Sequence, residues 1–120
     1  MYSPQVLDHF EHPRNAGEVP AADASVQVEN PACGDVLRLS AKVVDGRLAD
    51  VRFRAKGCVP SMACASLLTE LVKGRTLQQA RGLQREQLLE AAGTLPPASV
   101  HASHLAMDAL SALLKKLPAP

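Results

Sequence analysis

The feature that most constrains this chain is the Asp45-Gly46 pair and what lies on either side of it. Before it, Leu37, Leu39, Ala41 and Val43 alternate with Arg38, Ser40 and Lys42. After it, Ala49, Val51, Phe53 and Ala55 alternate with Asp50, Arg52 and Arg54. Asp-Gly accepts the positive φ angles of a tight turn whose twist matches its flanking strands, so the pattern predicts an antiparallel hairpin. Strict alternation also predicts one buried sheet face and one basic, wet face. A weaker alternation over Ser25 to Glu29 predicts a third strand ahead of the hairpin.

The rest of the chain must cover the apolar face, and its signals are helical. Ser3-Pro4 reads as an N-cap followed by Pro at the first helical position, with Val6, Leu7 and Phe10 at helical spacing and Pro13 as the stop. Asn15 to Ala24 reads as a loop. Pro60 to Lys73 predicts a helix ended by Gly74, and Thr76 with Gln79 forms a capping box for a short helix closing near Gly82. Gln84 to Ala92 is a further helical segment. Ser99 to Leu117 is the last, with an apolar stripe of Leu105, Ala106, Ala109, Leu110, Leu113, Leu114 and Leu117. Strands followed by helices, without repeats or linkers, predict an α+β layer fold as a single domain over residues 1–120.

Charge and composition exclude several functions. Thirteen Lys and Arg against twelve Asp and Glu leave a formal charge of +1, which offers no electrostatic footing for nucleic acid or an anionic membrane. Tyr2, Phe10 and Phe53 are the only aromatics, too few for a base-stacking surface. No apolar run approaches the roughly 18–20 residues needed to cross a bilayer. No basic segment followed by an apolar one opens the chain, so a cytoplasmic protein is expected. In that setting three cysteines point to buried, reactive or metal-bound thiols and not to disulfides.

Four places carry candidate chemistry. In Ala32-Cys33-Gly34-Asp35 a thiolate and a carboxylate two residues apart can converge on one cation, although the same string also makes a plain turn. Cys58 follows Gly57 where a strand meets a helix, and the positive end of the helix dipole favours its thiolate, the form that binds metal or attacks sulfur. Cys64 shares a helix face with Leu67, Leu68 and Leu71 and reads as a small core hydrophobe. His101 and His104 are three residues apart near the start of the last helix, a spacing open both to metal binding and to plain surface exposure. His9 and His12 flank a helix end, where a cation suits the dipole, and read as structural. No phosphate loop, hydrolase triad, carboxylate pair or zinc-ribbon CxxC is present.

Taken in order, these motifs resemble the NifU/IscU-type iron–sulfur cluster assembly scaffolds from Tyr2 to about Leu114. The resemblance is carried by Tyr2-Ser3-Pro4-Gln5-Val6-Leu7-Asp8-His9-Phe10, His12-Pro13-Arg14-Asn15-Ala16-Gly17, Pro31-Ala32-Cys33-Gly34-Asp35 and Phe53-Arg54-Ala55-Lys56-Gly57-Cys58. Ala65-Ser66-Leu67-Leu68-Thr69-Glu70 and Leu95-Pro96-Pro97 with His101 complete it. It implies a three-stranded antiparallel sheet with helices packed on one face. It also implies a surface site in which Cys33, Asp35, Cys58 and His101 hold iron, a nascent [2Fe–2S] cluster or Zn²⁺. The implied partners are a cysteine desulfurase and apo iron–sulfur acceptor proteins, and a homodimer would bring four thiolates together.

Two departures from the family pattern stand out. The family's third site cysteine directly follows the histidine, and here that residue is Ala102. The family's chaperone-recognition string continues Leu-Pro-Pro with an apolar residue and Lys, whereas here it runs Leu95-Pro96-Pro97-Ala98-Ser99, which weighs against docking to that chaperone. His104, where the family has an apolar residue, and Cys64, where it usually has Ser, are the two possible substitutes for the missing thiol. A His ligand on one iron has precedent in Rieske centres. Three readings follow: a cluster scaffold, a zinc- or iron-binding adaptor of a desulfurase, or a sulfur transferase with Cys58 as nucleophile and His101 as base.

Overall fold

The computed structural model describes residues 2–31 and 34–117. Helix α1 (Pro4–Glu11) opens the chain, with Ser3 Oγ accepting from the Val6 amide at 3.1 Å. Strands β1 (Ala24–Glu29), β2 (Val36–Val44) and β3 (Arg47–Lys56) form an antiparallel sheet in the order β1-β2-β3. Asp45 and Gly46 join β2 to β3 with φ of 53° and 73°, the two positive values that the tight hairpin turn requires. Helices α2 (Val59–Val72), α3 (Leu77–Arg81), α4 (Arg85–Ala92) and α5 (His101–Lys116) follow, α5 being led in by a 3₁₀ turn at Pro97–Ser99. The long segment expected from Ser99 therefore begins as this separate turn, and the helix starts at His101.

Helices α2 and α5 pack on one face of the sheet, against Val26, Leu37, Leu39, Ala41, Val51 and Phe53, all buried. α2 is the centre of the molecule: it touches α1, α4, α5 and β3 and is apolar nearly all round. Cys64 lies in this core, fully buried among leucines as expected.

Two expectations need correction. The alternation over β3 puts Ala49 on the buried face, but Lys42 pairs with Asp50 while Val43 pairs with Leu48. This bulge shifts the phase by one residue, so Leu48 is buried and Ala49 exposed. The second sheet face is also not simply wet. The segment after α1 crosses it: the Val19 amide donates to the buried Ser40 Oγ at 3.0 Å, and Glu18 lies 3.0 Å from Arg38 Nε and 3.7 Å from Arg54 Nε. Arg38 and Arg54 are direct cross-strand partners, and like charges so placed repel unless an anion such as Glu18 sits between them. The outer edge of β3 is covered as well, by Asn15 and Gly17 bonded to Phe53 and by Gly74 and Arg75 bonded to Leu48. Among the described residues no helix is long and apolar enough to cross a membrane.

Candidate metal centre

Three loops meet where the sheet ends and α2 and α5 begin. The first joins β1 to β2. The Asn30 amide donates to the Asp35 carbonyl and the Gly34 amide to the Asn30 carbonyl, each at 2.8 Å, so this short loop closes on itself and presents Asp35 just ahead of β2. Cys33, the other candidate on this loop, lies outside the described residues. The second loop joins β3 to α2 through Gly57 and Cys58, and Cys58 is the N-cap of α2. Its extended backbone (φ −80°, ψ 168°) turns the thiol outward at the positive end of a fourteen-residue helix. The third is the Pro97–Ser99 turn, which delivers His101 as the first residue of α5.

The Asp35 carboxylate is the hub. It is only 5% exposed, so it costs free energy unless it gains strong partners. The Cys58 thiol donates to Oδ2 at 3.3 Å, and the Ser61 hydroxyl donates to the same oxygen. Cys58 Sγ and Ser61 Oγ are 3.2 Å apart. His101 Nε2 stands 3.9 Å from Asp35 Oδ2. The other ring nitrogen, Nδ1, lies 3.0 Å from the Ala98 carbonyl. A carbonyl only accepts, so Nδ1 carries a proton and donates, which leaves Nε2 as the ring nitrogen that faces Asp35. A metal-binding imidazole is normally oriented in this way, through its second nitrogen.

One donor atom each from Asp35, Cys58 and His101 lies within 4.8 Å of the others. Bonds of about 2.0–2.3 Å to a tetrahedral ion place donors roughly 3.3–3.8 Å apart, close to the distances found here. The three residues are contributed by three separate loops, and the structure brings all three together. Cys58 is exposed, Asp35 buried and His101 partly open, so a cation has access from solvent while its carboxylate ligand is held from behind.

Sequence reasoning missed two residues that shape this centre. Ser61 binds both Asp35 and Cys58. The available signal was its place three residues after the N-cap, on the first turn of α2. Gly57 is the other: a Cβ there would fall 2.5 Å from Asp35 Oδ1, so only glycine lets the carboxylate lie against this strand end. The two possible substitutes for a third thiol separate clearly. Cys64 is fully buried in the core and stands outside the converging donors, and burial, helped by the nearby Cys58, pushes its thiol up to about 12. His104 is exposed and shares a cleft with His101. Ala102 is 1% exposed and belongs to the apolar core.

His9 and His12 lie away from this centre. His12 caps α1 and is exposed. His9 is structural, but not as a helix-end cation. It is buried, with Nδ1 2.7 Å from Ser66 Oγ and Nε2 3.2 Å from Glu70, and burial, aided by the Arg14 charge, pulls its pKa below the usual value.

The pattern of the NifU-like N-terminal domain family matches residues 1–119. The chain is 44% identical over 118 residues to the iron-sulfur cluster assembly scaffold protein IscU of Azotobacter vinelandii, a match that spans 95% of this chain and 91% of that protein. It is 43% identical over 117 residues to the protein of the same name from Escherichia coli K12, spanning 94% and 91%. The crystal structure of a nitrogen-fixing NifU-like protein (N-terminal) from Brucella abortus superposes with a TM-score of 0.75 over 95% of this chain and 92% of that one. At 19% identity that likeness speaks for the fold alone.

Proposed function

This chain belongs to the NifU-like N-terminal domain family, and we propose that within it the protein is an iron–sulfur cluster assembly scaffold. The observation that carries this reading is the convergence of Asp35, Cys58 and His101 within 4.8 Å at an accessible surface. Iron and sulfide are its cargo, received, held and passed on to apo iron–sulfur acceptor proteins, with a cysteine desulfurase as the sulfur source.

The roles follow from the chemistry of each donor. Cys33 and Cys58 supply the soft thiolates that select iron. His101 supplies Nε2, held in line by the Nδ1–H bond to Ala98. Asp35 supplies a carboxylate, a harder and more readily displaced donor, which suits cargo that must leave. Ser61 holds Asp35 in place and, by donating to it, disperses its charge before metal arrives. A [2Fe–2S] unit on this set has a mixed sulfur, nitrogen and oxygen shell in place of four thiolates. A cytoplasmic setting and one functional unit over residues 1–120 complete the proposal.

One observation favours a second reading. Ala102 is packed into the core, where the family resemblance leads one to expect a third thiol, and the donors that converge among the described residues suit one ion. On that reading the protein holds a single Fe²⁺ or Zn²⁺ and acts as an adaptor of the desulfurase without building clusters.

Anaerobic incubation with ferrous iron, cysteine, a thiol reductant and a desulfurase, followed by desalting, separates the two. Iron and acid-labile sulfide in equal amounts, both lost in Cys58→Ala, are the outcome for a scaffold. Iron or zinc retained without sulfide overturns that reading in favour of the adaptor.

A further inference from the structure

We infer that the cleft between the end of β1 and the first two turns of α5 is a second, weaker cation site, which takes a hydrated divalent ion through His104, Asp108 and Glu29 and opens onto His101. The cleft has a volume of about 220 Å³ and is lined by Glu29, Asn30, His101, His104 and Asp108, among others. Three of these fall on one face of α5, because residues 101, 104 and 108 are separated by three and then four positions. The intervening Ala102 and Ala106 turn the other way, into the core, while the buried Leu105 adds an apolar side chain to the cleft lining.

Four observations carry the inference. The lining combines two imidazoles with two carboxylates, the donor classes preferred by borderline and hard divalent ions. The side chains of His104 and Asp108 are exposed and engage in no hydrogen bond or ion pair among the described residues, so their lone pairs are unspent. The donors line the cleft without closing on one another: among the described residues only Asp35, Cys58 and His101 gather within 4.8 Å. Such spacing suits an ion that keeps its water. At about 220 Å³ the cleft has room for a cation that keeps part of its hydration shell. Finally, His101 belongs both to this cleft and to the metal centre, so an ion here lies beside a donor that also faces Asp35 and Cys58.

The destination of the ion rests on the scaffold reading, with Fe²⁺ as the cargo. Ion binding in the cleft does not depend on it. His104 thus contributes as an entry-site ligand and not as a replacement for the thiol absent at position 102.

Mn²⁺ is the discriminating probe, because it favours oxygen and nitrogen donors over thiolates and broadens nearby NMR signals. It should broaden the resonances of residues 29, 104 and 108 saturably, in the unaltered chain and in Cys58→Ser alike. Loss of a group that only orients a ligand already costs about tenfold in metal affinity, so His104→Ala and Asp108→Asn should each weaken binding by at least that factor. Both positions are exposed, and a dispersed spectrum verifies the fold. Broadening that is centred on Asp35 alone, or unchanged in His104→Ala with Asp108→Asn, overturns the inference. Failure to retain sulfide in the desulfurase assay with the Mn²⁺ response intact counts against the scaffold and for the cleft.

Discussion

A histidine, a serine and a carboxylate meet toward each of the two ends of helix α2, and the two sets behave oppositely. Toward its C-terminal end, Ser66 and Glu70 meet His9 of α1. There Ser66 Oγ accepts from the Arg14 amide at 2.9 Å and donates to His9 Nδ1, while His9 Nε2 donates to Glu70. Both ring nitrogens are spent, and the set works as a seam between α1 and α2. At the N-terminal end, Ser61 and a thiol meet Asp35, and His101 Nε2, 3.9 Å from that carboxylate, makes no hydrogen bond among the described residues. Residue type does not distinguish a seam from a metal centre. What distinguishes them is whether every donor and acceptor is already paired, and whether solvent reaches the group.

The comparison is sharpened most by the thiols. Cys64, buried between the two ends, has its thiol pushed up to about 12 by that burial. Its thiolate population is then far below that of an exposed thiol. Alkylation followed by mass spectrometry should label exposed Cys58 in the native protein and Cys64 only after unfolding. Equal labelling of the two would break the contrast.

Ser66→Ala tests the seam. It leaves the buried His9 Nδ1 and the Arg14 amide without their partner, and an unsatisfied buried group costs about 1–3 kcal/mol. Urea unfolding should show that loss, while metal uptake at the other end of α2 stays the same. A fall in metal uptake would mean that the two ends are coupled.

Gly57→Ala is the reverse experiment. The new Cβ would fall 2.5 Å from Asp35 Oδ1, so the carboxylate must move. Metal affinity should drop about tenfold or more, as for loss of a ligand-orienting contact. Competition with a chelating dye measures it.

The smallest effect expected is on pH dependence. Burial of His9 and the Arg14 charge hold its folded pKa below that of a free imidazole, about 6.5, against a partial pull from Glu70. As pH falls, the unfolded chain takes up the proton first, so the stabilisation present above about pH 6.5 is lost below it. Urea unfolding across this range should show that decline, and His9→Gln should flatten it. An unchanged slope in His9→Gln would remove His9 as its source.

Much of this molecule was legible because its signals are local. Asp45-Gly46, the alternation of β2, the Ser3-Pro4 cap and the Thr76–Gln79 capping box each act within a few residues, and each appears in the structure where the sequence puts it. Ala49 was misassigned because a bulge depends on the partner strand: pairing of Val43 with Leu48 shifts the phase, and nothing near Ala49 announces it. His9 was read from its place at a helix end, and its true environment is made by Ser66 and Glu70, more than fifty positions away. At the metal centre, Cys58 and His101 stood out by residue type and setting. Ser61 and Gly57 did not, because one matters for a hydrogen bond to a distant loop and the other for the side chain it lacks.

The sequence by itself determined the hairpin, the helix starts and stops, the core status of Cys64 and the residue types available for metal chemistry. These depend on backbone preference, period and burial-prone side chains, which operate over one or two turns. Only the tertiary structure decided which histidine is spent and which is open, and that Asp35 is the hub of the site. It also decided that His104 faces a cleft shared with His101. Those outcomes depend on distances between residues brought together from separate loops, and such distances exist only once α2 and α5 have packed against the sheet.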